Sequence, residues 1–122
     1  MNINKVVVIG SGTMGSGIAA HLCNANIPVI LLDLKTEIAE KAKERIIKSR
    51  PPLLFEKTKI NSLKTGNISE NFDNVCDADW IIEAVVERID VKHSIYEKIF
   101  KERKKESIVS SNTPTIPLKI LS

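Results

Sequence analysis

The feature of this 122-residue chain that most constrains its fold is a glycine-rich segment at residues 10–15, with the pattern G-x-G-x-x-G. It directly follows a β-branched run at residues 5–9, which predicts a strand buried on both faces of a parallel sheet. Apolar residues at helical spacing from Met14 to Ala25 predict a helix that starts within the segment and stops at Asn26. A strand, a glycine-rich turn and a helix in this order predict a binding site for the pyrophosphate of a dinucleotide.

Each glycine of the pattern has its own physical role in such a turn. Gly10 permits the tight turn, Gly12 lets a pyrophosphate come close to the backbone, and Gly15 lets the helix pack near the strand. The helix N-terminus, where Thr13 and Met14 lie, offers unpaired N–H groups and a partial positive charge to the phosphates. We therefore expect these five residues to bind the cofactor.

An acidic residue ends the second predicted strand, at residues 29–32. Asp33 follows Gly15 by 18 residues, at the position where a carboxylate binds both hydroxyls of the adenosine ribose. The same carboxylate repels a 2′-phosphate, so the pattern favours NAD over NADP. Lys35 is a nearby cation that could compensate part of this repulsion. The alternative interpretation is a glycine turn with a solvent-exposed aspartate.

Strands and helices alternate along the rest of the chain, which predicts βαβ units and a parallel sheet. With right-handed crossovers the expected strand order is 3-2-1-4-5, in a Rossmann-type doubly wound α/β domain over residues 1–122. Pro51 and Pro52 separate two predicted helices, so residues 41–64 are expected to form a helical hairpin arm. The predicted elements after the second strand are helices at residues 36–50 (with Ile38, Ala42 and Ile46 on one face) and 53–64, a turn at 65–67, a short edge strand at 68–69, a helix at 72–78, strands at 80–86 and 107–110, and a helix at 90–105.

Composition places the chain among globular proteins with a real core, since 43% of its residues are hydrophobic and 27% are charged. No apolar run approaches the roughly 20 residues of a membrane span, and the N-terminus has no signal-peptide pattern. Cys23 and Cys76 lie far apart, which predicts no metal site and two reduced thiols in a cytoplasmic protein.

Positive charge is concentrated at residues 41–64, where eight basic residues face only two acidic ones. Such a field attracts a phosphorylated ligand, although a solvated amphipathic helix is the alternative interpretation. Phe55 is the only aromatic residue there, so base stacking and therefore nucleic-acid binding are not expected.

Three stretches of the chain, residues 6–19, 78–87 and 110–113, resemble the N-terminal domain of the L-3-hydroxyacyl-CoA dehydrogenases. The related 3-hydroxybutyryl-CoA dehydrogenases share these stretches. The resemblance implies NAD-dependent oxidation of an L-3-hydroxyacyl-CoA to the 3-ketoacyl-CoA, in fatty-acid β-oxidation or butanoate metabolism. Its implied partner is an acyl-CoA substrate.

The resemblance also implies roles for individual residues. Asp33 would bind the adenosine ribose, and Ser49 would contact CoA. Positions near the cofactor or along the path to the nicotinamide are implied for Ala84, Val85, Glu87 and Lys92. Asn112 would orient the substrate or the nicotinamide.

Two departures from the family pattern affect the expected chemistry. The family carries a catalytic histidine and a helical domain beyond the equivalent of this chain, whereas His21 and His93 are interpreted here as packing or surface residues. The chain is therefore expected to be the N-terminal part of a longer enzyme, and inactive by itself for lack of a base. Pro114 stands where the family has a serine after S-N-T. Either the hydroxyl comes from Thr113 or Thr115, or Pro114 only shapes the loop.

The sequence is compatible with two other interpretations. One is a free-standing module that binds NAD or acyl-CoA. The other is a 3-hydroxyisobutyrate-type dehydrogenase domain, which the residues at 83–87 and 111–113 disfavour. A homodimer is expected, because residues 107–110 would form an open sheet edge and residues 114–121 carry several apolar side chains.

Overall fold

A five-stranded, entirely parallel sheet forms the centre of the computed structural model, which describes residues 3–49, 54, 57–84 and 89–111. Its strand order is β3-β2-β1-β4-β5, which confirms the expected Rossmann-type topology. The strands are β1 (Val6–Ile9), β2 (Val29–Asp33), β3 (Leu63–Asn67), β4 (Trp80–Glu83) and β5 (Ile108–Ser111). The helices are α1 (Thr13–Asn24), α2 (Thr36–Lys48), α3 (Ile68–Asn71) and α4 (Ile89–Glu102), with 3₁₀ helices at Lys57–Ser62 and Phe72–Asp77.

The central strand, β1, is fully buried because helices cover both faces of the sheet. Val6 and Val8 pack in one layer with the buried faces of α1 and α2. Val7 and Ile9 point the other way, into a layer that includes Phe72 and residues of α4. The alternation follows from the two-residue period of a strand. Within the described residues, no helix is both long enough and apolar enough to traverse a bilayer.

The predicted edge strand at residues 68–69 is wrong, since the third strand is β3 and residues 68–69 belong to α3. Residues 65–67, predicted as a turn, lie inside β3 and pair with β2, Gly66 opposite Leu32. A Cβ on Gly66 would lie 2.7 Å from Oδ1 of Asn71, so the glycine permits a close approach rather than a turn. The side chain of Asn67 accepts a hydrogen bond from the Glu70 N–H at 2.7 Å and caps α3.

The helical arm predicted at residues 41–64 is also wrong at its far end. The helix α2 ends at Lys48, a 3₁₀ helix follows at Lys57–Ser62, and residues 63 and 64 are already in β3. Leu63 pairs with Val29 of β2 and is buried in the hydrophobic core. The middle of the predicted arm, at residues 50–53 and 55–56, lies outside the described residues.

The face that α2 buries differs from the predicted one by one residue. Ala39, Ala42 and Ile46 are buried, whereas Ile38 is 40% exposed. Two of the three buried residues are alanines, so the helix can lie close to the sheet.

Candidate dinucleotide-binding site

The turn after β1 is held by backbone contacts that require glycine. Gly10 has a φ of 107°, in the left-handed region, and its N–H donates to the Leu32 carbonyl at 2.7 Å. A Cβ on Gly15 would lie 1.8 Å from the carbonyl oxygen of Gly10 and 3.5 Å from the Cβ of Ala84. The first turn of α1 therefore packs directly against the end of β1, as expected for this pattern.

Gly12 precedes α1 and faces open space. Nothing lies within 4 Å of a Cβ built on it. No side chain caps the helix, and its first turn has no acidic residue. Among the described residues of the helix itself, no carboxylate therefore offsets the partial positive charge of its first-turn N–H groups. This arrangement leaves room for a phosphate group beside the backbone at Gly12.

The carboxylate of Asp33 lies beside this turn and is fixed by three donors. Its Oδ2 accepts from the Ser11 N–H at 2.8 Å and also from the Ser11 hydroxyl. Its Oδ1 accepts from the Leu34 N–H at 2.7 Å. The acid predicted from sequence and the glycine loop are therefore brought into direct contact.

A second set of contacts holds the loop through the backbone carbonyl of Ser11. The carbonyl of Ser11, a residue that is 1% exposed, accepts from the Ser16 hydroxyl at 2.8 Å and from Nη2 of Arg45 at 2.8 Å. Arg45 lies on α2, and the same nitrogen is 3.5 Å from Oγ of Ser16. From the sequence, Arg45 was expected only to be one of the phosphate-attracting basic residues at residues 41–64, and neither serine had an expected role. No local pattern marks a contact between residues 34 positions apart.

Other predicted site residues fall into three groups. Ala84 is buried at the same edge of the sheet, and its N–H donates to the Ile9 carbonyl at 2.8 Å. Met14 is 44% exposed and lines a groove of about 890 Å³ with His21 and Trp80. The third group lies outside the described residues and comprises Val85, Glu87, Asn112, Thr113, Pro114 and Thr115. For Thr13, Lys92 and His93 the structure describes the backbone and not the side chain.

Ser49 lies at the C-terminal end of α2. Its hydroxyl donates to the Ile46 carbonyl at 3.0 Å, which closes the C-terminus of the helix. The 13 residues of α2 separate Ser49 from the Asp33 end by about 20 Å at 1.5 Å per residue. Among the basic residues of α2, Lys41, Arg45 and Lys48 are exposed, and Lys43 is partly buried.

Glu83 is a further acidic residue at this end of the sheet, and it had no predicted structural role. It ends β4 and is completely buried, next to Ile9 in the register of the sheet. Its position at the carboxyl edge, close to the glycine loop, could have been inferred from its place at the end of a predicted strand.

The amino ends of the strands, opposite the glycine loop, carry a charged cluster that does not belong to the loop. The carboxylate of Asp79 pairs with the ammonium of Lys104 and accepts from the Asn4 N–H at 2.7 Å and the Lys5 N–H at 3.1 Å. The Lys104 hydrogen bond, followed by that from Asn4, lowers the pKa of Asp79 below its ordinary value.

Metal ligation receives no support from the described part of the chain. No group of three or more histidine, cysteine, aspartate or glutamate side chains there could hold an ion. Cys23 is a free, buried thiol whose pKa is raised by burial, and Cys76 is a free, exposed thiol.

Comparison with known proteins identifies relatives of the whole chain. Residues 5–122 match the family model described as 3-hydroxyacyl-CoA dehydrogenase, NAD binding domain. A Deinococcus radiodurans protein named as a probable 3-hydroxyacyl-CoA dehydrogenase is 39% identical over 97% of this chain and 36% of its own length. A peroxisomal fatty acid beta-oxidation multifunctional protein of Arabidopsis thaliana is 36% identical over 98% of this chain and 17% of its own length. The crystal structure of 3-hydroxybutyryl-CoA dehydrogenase from Escherichia coli superposes with a TM-score of 0.85 at 28% identity, over 99% of this chain and 27% of that chain.

Proposed function

Since this chain belongs to the family of 3-hydroxyacyl-CoA dehydrogenase NAD-binding domains, we propose that the protein containing it oxidises L-3-hydroxyacyl-CoA to 3-ketoacyl-CoA. When bound, NAD supplies the acceptor for the hydride. The observation that carries the proposal is the open backbone at Gly12 beside the fixed carboxylate of Asp33. These two features suit the pyrophosphate and the adenosine ribose of one dinucleotide.

The proposed cofactor contacts follow from this geometry. The N-terminus of α1, with Gly12, Thr13 and Met14, faces the pyrophosphate, while Gly10 and Gly15 hold the loop and helix in place. Asp33 accepts hydrogen bonds from the ribose hydroxyls, and its charge disfavours a 2′-phosphate. We assign Ala84, Val85, Glu87 and Lys92 to the nicotinamide side of the same cleft, since they lie at or beyond the carboxyl end of β4, the neighbour of β1.

The substrate side of the proposal rests on charge and on family membership. The exposed lysines of α2, with Ser49 at its end, are assigned to the phosphates of CoA. Asn112 is assigned to orient the substrate or the nicotinamide, and Thr113 or Thr115 is available as a hydroxyl next to Pro114. Removing the substrate's hydroxyl proton needs a base, and we therefore assign turnover to the whole protein rather than to this chain by itself. The compartment we propose is the cytoplasm, and the pathway is fatty-acid β-oxidation or butanoate metabolism.

Calorimetric titration with NAD and NADP tests the cofactor assignment. We expect the wild-type chain to bind NAD more tightly than NADP. Asp33→Ala should weaken NAD binding by about 10- to 100-fold, because a hydrogen bond to a charged group contributes roughly 1.5–3 kcal/mol. The same substitution should reduce the ratio of the affinity for NAD to the affinity for NADP.

Asp73→Ala is the matched control. Asp73 is an exposed aspartate in the 3₁₀ helix at Phe72–Asp77, away from the glycine loop, and its removal changes the net charge by the same amount. Its NAD affinity should equal that of the wild type. Equal wild-type affinities for NAD and NADP would contradict the role assigned to Asp33.

A further inference from the structure

The carboxylate of Asp33 has little acceptor capacity left for a ligand. A carboxylate offers about four lone-pair sites, two on each oxygen. The Ser11 N–H and the Ser11 hydroxyl take both sites of Oδ2, and the Leu34 N–H takes one site of Oδ1. One site therefore remains, on Oδ1. The two hydroxyls of a ribose are two donors and need two acceptor sites.

Of the three donors on Asp33, only the Ser11 hydroxyl can leave without moving the backbone. The N–H of Leu34 belongs to the next residue of the chain. The N–H of Ser11 is held in place because the carbonyl of the same residue is bound by Ser16 and Arg45, each at 2.8 Å. Rotation about χ1 of Ser11 moves the hydroxyl alone and frees one site of Oδ2.

We propose that the Ser11 hydroxyl occupies the place of a ribose hydroxyl on Asp33 and must rotate away before the adenosine ribose can bind through both of its hydroxyls. Ser11 is thus a residue that limits nucleotide affinity, although it lies inside the binding loop. The proposal rests on the NAD site described above and concerns only its adenosine half. Ligands that lack the ribose diol have nothing to gain from the displacement and are insensitive to Ser11.

Calorimetric titration of the full chain with NAD, with ADP and with 2′,3′-dideoxy-ADP tests the proposal. We expect Ser11→Ala to bind NAD and ADP about tenfold more tightly than the wild type, which corresponds to about 1.4 kcal/mol. Its affinity for 2′,3′-dideoxy-ADP should equal that of the wild type. Ser16→Ala is the matched control, because it removes a hydroxyl that bonds the Ser11 carbonyl and not Asp33. It should not tighten binding of any of the three ligands.

The outcomes separate this proposal from the cofactor assignment. If the wild type binds NAD and Ser11→Ala binds it equally or more weakly, the hydroxyl does not compete with the ribose, and only the present proposal is overturned. If neither protein binds NAD or ADP, the cofactor assignment fails and this proposal with it. Equal tightening for the dideoxy ligand would also overturn it, since competition for the diol would not be the cause. Ser11→Gly removes the same hydroxyl and replaces the alanine variant if that variant does not fold.

Discussion

The glycines at and just after the turn differ in what a single added methyl group would meet. At Gly15 the nearest atom is a backbone carbonyl oxygen 1.8 Å away, which no side-chain rotation can move. At Gly17, two residues further along the same helix and therefore on its opposite side, nothing lies within 4 Å of an added Cβ. The two positions therefore separate a packing requirement from the ordinary cost of glycine in a helix.

Gly15→Ala should destabilise the fold by about 3 kcal/mol or more, because overpacking against a fixed backbone costs at least as much as the usual core case. Gly17→Ala is its matched control and should stabilise the protein by about 0.5–1 kcal/mol, since alanine loses less backbone entropy in a helix. Urea unfolding followed by circular dichroism measures both. Similar unfolding midpoints for the two variants would show that the first turn of α1 can move away from β1.

At the scale of elements, Asp79 joins the beginnings of three strands. Its carboxylate accepts from the N–H groups of Asn4 and Lys5 just before β1, and it pairs with Lys104 just before β5. Its own N–H donates to the Lys5 carbonyl at 2.9 Å, and its carbonyl accepts from the Ile108 N–H at 2.9 Å. The amino ends of β1, β4 and β5 are thus connected through one residue.

Stability should fall in acid because the pKa of Asp79 is lowered in the folded state, chiefly by its hydrogen bond from Lys104. The ionised Asp79 therefore stabilises the folded state at pH values above 3.8, the pKa of the unfolded state. This stabilisation is lost as the pH falls below 3.8 and through the lowered folded-state pKa. The hydrogen bond to Asp79 raises the pKa of Lys104, so the stabilisation that the charged Lys104 gives the folded state is lost as the pH rises above 10.5.

Unfolding free energies measured from neutral pH down to below pH 3.8 provide the check on this cluster. Asp79→Asn should be less stable than the wild type at neutral pH and should lose less stability on acidification. Asp73→Asn changes an exposed carboxyl group outside the cluster and should follow the wild-type profile. A wild-type acid profile in Asp79→Asn would mean that other carboxyl groups determine the acid transition.

At the scale of the whole molecule, one sheet edge offers a surface for a second copy. Within the described residues, β5 pairs with β4 on one side only, and Ile108 on this strand is 42% exposed. Unpaired backbone groups on an edge strand can pair with another chain. A two-fold axis beside β5 would place two such edges antiparallel to each other, in an isologous dimer.

We expect light scattering to give twice the 13.6 kDa mass of the chain. Ile108→Lys should shift the protein to the monomer, because it places one charged side chain from each copy on the paired edge. Ile47→Lys is the control, since Ile47 is 37% exposed on α2 and lies away from β5. A monomeric wild type at high concentration would contradict pairing through this edge.

Local sequence pattern was sufficient to predict the central βαβ unit and the position of its acidic residue. Residues 5–15 predict a strand, a turn and a helix from local pattern alone, and Gly10, Gly15 and Asp33 occupy the geometry that this pattern requires. The strand order followed as well, because right-handed crossovers leave few ways to arrange alternating strands and helices. These features depend on neighbours that are close along the chain or on a general rule of connection.

Features that depend on residues far apart in the chain could not be predicted in this way. The residue types at 65–67 are typical of turns, yet these residues form a strand, because their backbone groups pair with those of β2. Arg45 was predicted as part of a phosphate-attracting arm, but it binds the Ser11 carbonyl 34 positions earlier in the chain. The contact between Ser11 and Asp33, which determines how many acceptor sites remain for a ribose, spans 22 positions and has no local pattern. Such contacts arise only when folding brings α2, β2 and the glycine loop together, and single-residue propensities do not encode them.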